Sequence, residues 1–198
     1  MFQRFCVLTI VVALAASLVP FASGARVRVR IEGKTTTIFG ATEPRVAADH
    51  ALGALESASL AGEFYYHVQT SSFGSYVDQI GRFPAGGTSG WVFKVNDISP
   101  PVGADKVELR DGDRVLWYFA QFGVVPGGPP TLRLARTRNR CYAVTALDDA
   151  GKTRKPTRAV LRVDGRTVRT QGGVACPGPH RGLVRATAPG AVRSNALS

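Results

Sequence analysis

At 198 residues, 44% hydrophobic and 20% charged, the chain holds enough apolar material for one or two packed domains and too much for a disordered segment. Its net charge of +11 is confined to one end: residues 25–128 carry ten Lys/Arg against eleven Asp/Glu, and residues 129–198 carry fourteen against three. Such a break marks a domain boundary. Beyond the N-terminus no run reaches the ~20 apolar residues of a membrane-spanning helix.

The first segment reads as an export signal. Arg4 supplies the positive start, Phe5 to Val19 the apolar stretch, and Ala22 and Gly24 the small residues before a cleavage point at Ala25. An uncleaved anchor is the alternative. Cleavage leaves two cysteines, Cys141 and Cys176. In an exported protein an isolated pair predicts a disulfide. A metal or thiol site is the competing reading, and no histidine lies at ligand spacing from either cysteine.

Residues 26–31, RVRVRI, alternate: Val27, Val29 and Ile31 face a core, while Arg26, Arg28 and Arg30 are expected on a solvated face. Glu32-Gly33-Lys34 turns the chain into a partner strand, 35–39. Thr42-Glu43-Pro44 reads as a helix start, with Thr42 as cap and Pro44 in the first turn. Ala48, Ala51, Leu52, Leu55 and Ala58 continue it as an apolar stripe that stops at Gly62. Residues 63–70 and 76–83 read as strands. The Gly-rich run 84–89 lacks the Gly-Lys-Ser/Thr ending of a phosphate loop.

The densest pattern is 89–123. In 90–96, Trp91, Phe93 and Val95 share one strand face; in 114–121, Val115, Trp117 and Phe119 oppose Leu116 and Tyr118. The second strand is apolar on both sides and therefore interior to a sheet. An Asn96-Asp97 turn and an Asp111-Gly112-Asp113 turn punctuate the stretch.

The segments GWVFKVND, PPVGAD and LRDGDRVLWYF resemble an extracytoplasmic family of unknown function related to the C-terminal domain of transcobalamin, itself similar to the soluble ligand-binding β-grasp group. Asp97 stands where that family usually has Gly. The resemblance implies a β-grasp-like domain, a mixed sheet with one helix, over 25–123. In the transcobalamin-like relatives this domain closes over a corrinoid together with a separate helical barrel. A pocket needs a few aromatics with polar neighbours, which selects Tyr76, Trp91 and Asn96 as ligand-binding candidates; core packing is the plainer reading of Trp91.

Residues 124–130, VVPGGPP, read as a linker. Short β-type runs at 131–135, 141–147, 159–163, 167–170 and 183–187 then suggest a small all-β sandwich over 131–198, similar to immunoglobulin-like or regulatory-type domains of exported proteins. The expected organisation is therefore a signal at 1–24, the β-grasp-like domain, the linker, and a basic sandwich stapled by Cys141–Cys176: an α+β chain overall.

No enzyme constellation stands out. His50, His67 and His180 are scattered, and no Gly-x-Ser-x-Gly elbow occurs. No cofactor or metal is expected. The first functional expectation is a non-catalytic binding module for a small molecule, corrinoid-like by resemblance alone. The second is a structural or adhesive cell-surface protein whose basic C-terminal domain docks on anionic envelope polymers. Nucleic acid is a poor partner for an exported chain, and a solvated basic surface is the plain reading of the same charges.

Overall fold

The computed structural model describes residues 24–71, 74–123 and 128–198. The expected signal thus lies outside the described residues apart from Gly24, and the expected linker is described only from Gly128.

The strands are β1 (Ala25–Glu32), β2 (Thr37–Phe39), β3 (Arg45–Ala48), β4 (Tyr66–Ser71), β5 (Gly74–Ile80), β6 (Phe83–Pro84), β7 (Ser89–Val95) and β8 (Arg114–Gln121), with the helix α1 (Ala51–Gly62) after β3. The C-terminal half adds β9 (Thr131–Arg136), β10 (Tyr142–Leu147), β11 (Thr153–Arg154), β12 (Val160–Val163), β13 (Arg166–Arg169), β14 (Val174–Ala175), β15 (Val184–Thr187) and β16 (Ala196–Leu197).

The expectation of an α+β chain led by a β-grasp-like domain is corrected. Among the described residues strand makes up 48% and helix 9%, with one α-helix and four sheets, which fits an all-β sandwich better than a helix packed on a mixed sheet. One physical cause lies at 42–48. A residue before proline is pushed out of the right-handed helical region, and Glu43 sits at φ 58°. Gly40, at φ 67°, completes the turn by accepting from the Glu43 N–H at 2.9 Å. The Val29 N–H then donates to the Pro44 carbonyl at 3.0 Å. That bond lays 45–48 against β1 as an antiparallel strand, Ala25 opposite Ala48. The helix is left with 12 residues, capped not by Thr42 but by His50, whose Nδ1 accepts from the Gly53 N–H at 2.9 Å. The second cause is that 66–84 forms its own three-stranded sheet, β4-β5-β6.

The largest sheet runs β2-β1-β8-β7, with β3 also paired to β1; β1 and β8 are parallel and β7 and β8 antiparallel. The aromatic strands are therefore neighbours, and the expected interior strand, 114–121, is interior. Val27, Val29 and Ile31 pack with Ala51, Leu55 and Ala58 of the helix and with Trp117. Trp117 donates its indole N–H to the Ala51 carbonyl at 3.3 Å and stacks on Phe93 with ring centres 5.0 Å apart. In the C-terminal half two four-stranded sheets, β9/β10/β11/β14 and β13-β12-β15-β16, close on one core. Leu132, Leu134 and Val144 meet Leu161, Val163 and Ala186 there.

Cys141 and Cys176 form the expected disulfide, 35 residues apart in sequence. By loop-closure entropy it stabilises by about 3–4 kcal/mol. Replacing both cysteines by serine should lower the free energy of unfolding by that amount in urea titrations; an unchanged value would show that the unfolded chain gains nothing from the cut.

Candidate functional site

The two halves meet along a seam of charge. The outer face of β8 and β7, Leu116, Tyr118, Ala120 and Val92, is covered there by Val192, which is why β8 is apolar on both sides. Around this strip, charges of the first half find opposites in the second. The Glu32 carboxylate, 1% exposed, is held by Arg193 Nε at 3.0 Å, by Arg185, and by Arg30 Nη1 at 3.4 Å. Lys94, fully buried, donates to the Asp148 carbonyl at 2.7 Å and pairs with Asp149 at 3.3 Å. Asp97 takes Arg133 at 2.5 Å on one oxygen and Arg114 at 3.0 Å on the other. Backbone bonds join in: Ser99 N–H to the Asp149 carbonyl at 2.8 Å and Ala196 N–H to the Ala41 carbonyl at 2.7 Å.

Sequence pattern placed Arg30 on a solvated face. It is buried instead, because the C-terminal half covers that face; its Nε reaches Glu43 at 3.3 Å and its Nη1 reaches the Arg193 carbonyl. Period-2 alternation reports which residues share a face, not what later covers it.

A cavity of about 290 Å³ opens at the edge of the seam, between the Glu32–Lys34 turn, the end of β8 and the 190–193 loop. Phe119, Pro129, Ala191 and Val192 form its apolar wall, and Lys34, Arg193 and the ion-paired Glu32 its charged one.

At the far end of the C-terminal half lies a second feature. The β9–β10 connection carries Arg136, Arg138 and Arg140, all exposed, with Asn139 and Arg140 at φ 59° and 57°. The disulfide fastens this tip to the 176–182 loop. Tyr142 donates or accepts at His180 Nε2 over 2.9 Å and carries the Arg136 guanidinium 5.8 Å above its ring. Asp164 accepts from the Arg181 and Gly182 N–H groups at 3.1 and 2.7 Å. These bonds hold its carboxyl below the usual range. Arg166 and Arg181 are exposed beside it. One stapled end therefore presents five arginines.

Of the three residues expected to bind a ligand, two converge. Tyr76 and Trp91 both line a cavity of about 130 Å³ with Phe93 and Trp117. Trp91 is buried, donates to the Phe83 carbonyl at 2.8 Å and meets Phe119 edge-on. The Tyr76 hydroxyl donates at the surface to Gln69, which in turn donates to Asp78 at 2.7 Å. Asn96 lies elsewhere: at φ 50° it forms the predicted turn, donating to Asp113 at 2.7 Å and accepting the Arg114 N–H at 3.1 Å. All three histidines are engaged, since His67 contacts Asp78 at 2.7 Å beside the roles of His50 and His180 given above. No described helix is long and apolar enough to cross a membrane.

The helix and both aromatic strands thus fall within one continuous stretch. Residues 49–121 match the family model of a domain of unknown function, DUF4430. The match fits the expectation of an uncharacterised family and starts one residue before the helix cap. No curated protein matches the chain. The seam partners Lys94 and Asp97 belong to the DUF4430 region; Glu32 and the C-terminal arginines lie outside it.

Burial pushes Lys94 below its usual 10.5, against the pull of Asp149, Asp97 and Asp148. The unfolded chain then binds the extra proton in the window just under 10.5, so this group's contribution to stability rises with pH across that window. Tyr118 is shifted the other way, well above 10.0, by burial and by Asp149. The folded chain keeps that proton longer, so stability falls as pH climbs past 10. Lys94→Met should flatten the rise below 10.5 and leave the fall above 10 in place, read as urea midpoints against pH. A rise that persists in the variant would assign it to another group.

Proposed function

We propose that this is an exported, non-catalytic binding protein that docks on anionic polymers of the cell envelope through its C-terminal half. One observation carries the reading. Of the fourteen Lys/Arg after residue 128, Arg133, Arg185 and Arg193 are taken up by the seam, and the other eleven are exposed. Five of those, Arg136, Arg138, Arg140, Arg166 and Arg181, gather at the disulfide-stapled end.

Guanidinium groups match phosphate and carboxylate oxygens two at a time. Holding several on a fastened tip lowers the entropy lost when a polymer binds. Asp164 is the acid beside them, and its oxygens are turned toward the backbone N–H groups of its own loop. The export signal of the first residues supplies the route to an envelope.

The small-molecule reading keeps one supporting observation, the meeting of Tyr76 and Trp91. Their cavity of about 130 Å³ is below the ~300–1,000 Å³ of ordinary ligand pockets. A corrinoid, implied by the resemblance to transcobalamin-related domains, would need a surface shared with another body.

The test is retention on immobilised poly(glycerol phosphate), with dextran as the uncharged control. Retention should be strong at low salt and fall at least about tenfold by 0.5 M salt, where screening is short-ranged. A variant carrying Arg138→Gln, Arg140→Gln, Arg166→Gln and Arg181→Gln should lose at least about tenfold in affinity without a change in melting temperature, since exposed substitutions cost little. Equal retention of variant and parent, or equal binding to dextran, would overturn the proposal.

A further inference from the structure

We infer that the seam cavity bounded by Lys34, Phe119, Val192 and Arg193 is a binding site for a small carboxylate bearing one apolar ring or branched chain. The inference is independent of the docking surface at the arginine end. Four features of the cavity point to that ligand.

The first is charge. Glu32 and Arg193, which line the cavity, belong to a cluster in which three guanidiniums, Arg30, Arg185 and Arg193, meet two carboxylates, Glu32 and Glu43. The cluster is one positive charge in excess. Lys34 on the rim adds another and has no ion pair among the described residues. With Lys34 and Arg193 against Glu32, the charged lining is one positive charge in excess, and excess charge between low-dielectric walls concentrates counter-ions. The mutual repulsion has a trace in Arg185, held below its usual range by burial and also by Arg30 and Arg193.

The second is a free donor. Arg193 donates Nε to Glu32 at 3.0 Å and Nη2 to the Gly33 carbonyl at 2.7 Å. These two bonds fix the guanidinium plane while Nη1 remains without a bond to any described group. Fixed donors that keep some exposure, 21% for the Arg193 side chain, are what an incoming carboxylate uses.

The third is the opposite wall. Phe119, Pro129, Ala191 and Val192 offer a ring and aliphatic carbon, the surface on which an apolar body gains from leaving water. Ser89 and Gln121, also in the lining, can meet a polar substituent.

The fourth is size. At about 290 Å³ the space is at the lower edge of ordinary ligand pockets, ~300 Å³. It suits a single-ring acid and excludes a large cofactor.

The experiment titrates the intact, disulfide-bonded protein with benzoate, with benzamide as its uncharged counterpart and with inorganic phosphate as a bare anion, read by amide NMR shifts. Benzoate should shift the amides of Gly33, Ala191 and Val192 with a Kd tighter than about 1 mM. Benzamide and phosphate should each bind at least about tenfold more weakly, the first for lack of charge and the second for lack of an apolar body. Lys34→Ala, at an exposed position, should weaken benzoate at least about fivefold and leave benzamide unchanged. Ala191→Phe, which fills the space, should abolish both.

The four-arginine variant of the far end should bind benzoate as the parent does, which separates this site from the polymer surface. Equal affinity for benzoate and benzamide would overturn the inference. So would shifts at the arginine end instead of the cavity, or no shift by about 10 mM benzoate.

Discussion

A charge removed from water must be met by an opposite charge or by hydrogen bonds, and in this protein the halves supply that need for each other. Glu32 and Lys94 are the clearest cases. Each lies in the first half with almost no contact with solvent, and each is satisfied mainly by groups after residue 130. Neither half, taken alone, could keep its buried ion without opening it to water. Removing one partner of such a pair costs about 3–5 kcal/mol, because the other charge is stranded. The apolar strip of Tyr118, Ala120 and Val192 supplies non-directional attraction, and the ion pairs around it fix the register in which the halves meet.

That constraint recasts the charge asymmetry of the chain. The basic excess of the C-terminal half first appears as a uniform property of composition. In three dimensions it divides into two populations. Arg133, Arg185 and Arg193 face Asp97 and Glu32 across the seam and are structural. The exposed remainder is available to partners. The seam also shapes the cavity: Arg193, one of the three guanidiniums that meet Glu32, is also one of the residues that line it. Holding the fold together and presenting a cationic wall are two uses of the same arginine.

How much of this was readable from the sequence depends on what each signal encodes. The β1 alternation, the β7–β8 aromatic pair and the Asn96-Asp97 turn follow from local chemistry, and the disulfide follows from the cysteine count. The helix start is not legible because Thr42-Glu43-Pro44 satisfies a capping pattern while the helix begins at Ala51. The decisive contact, Val29 with the Pro44 carbonyl, joins residues outside any local window. Alternation points Arg30 to solvent because it cannot show a second layer. Asn96 was paired with Tyr76 and Trp91 as a site on polarity alone, whereas its side chain is consumed in fastening a turn to Asp113 and Arg114. The seam cavity has no sequence signal, since its lining comes from five separated stretches.

Cooperativity tests the mutual dependence of the halves most directly. Both tryptophans, Trp91 and Trp117, lie in the first half, so their fluorescence follows that half alone, while strand circular dichroism follows both. In a urea titration of the disulfide-bonded protein the two signals should trace one coincident transition, and Glu32→Gln should move both midpoints down together. Two separated transitions, or a Glu32→Gln shift confined to the fluorescence curve, would contradict the account and leave the halves as independent bodies.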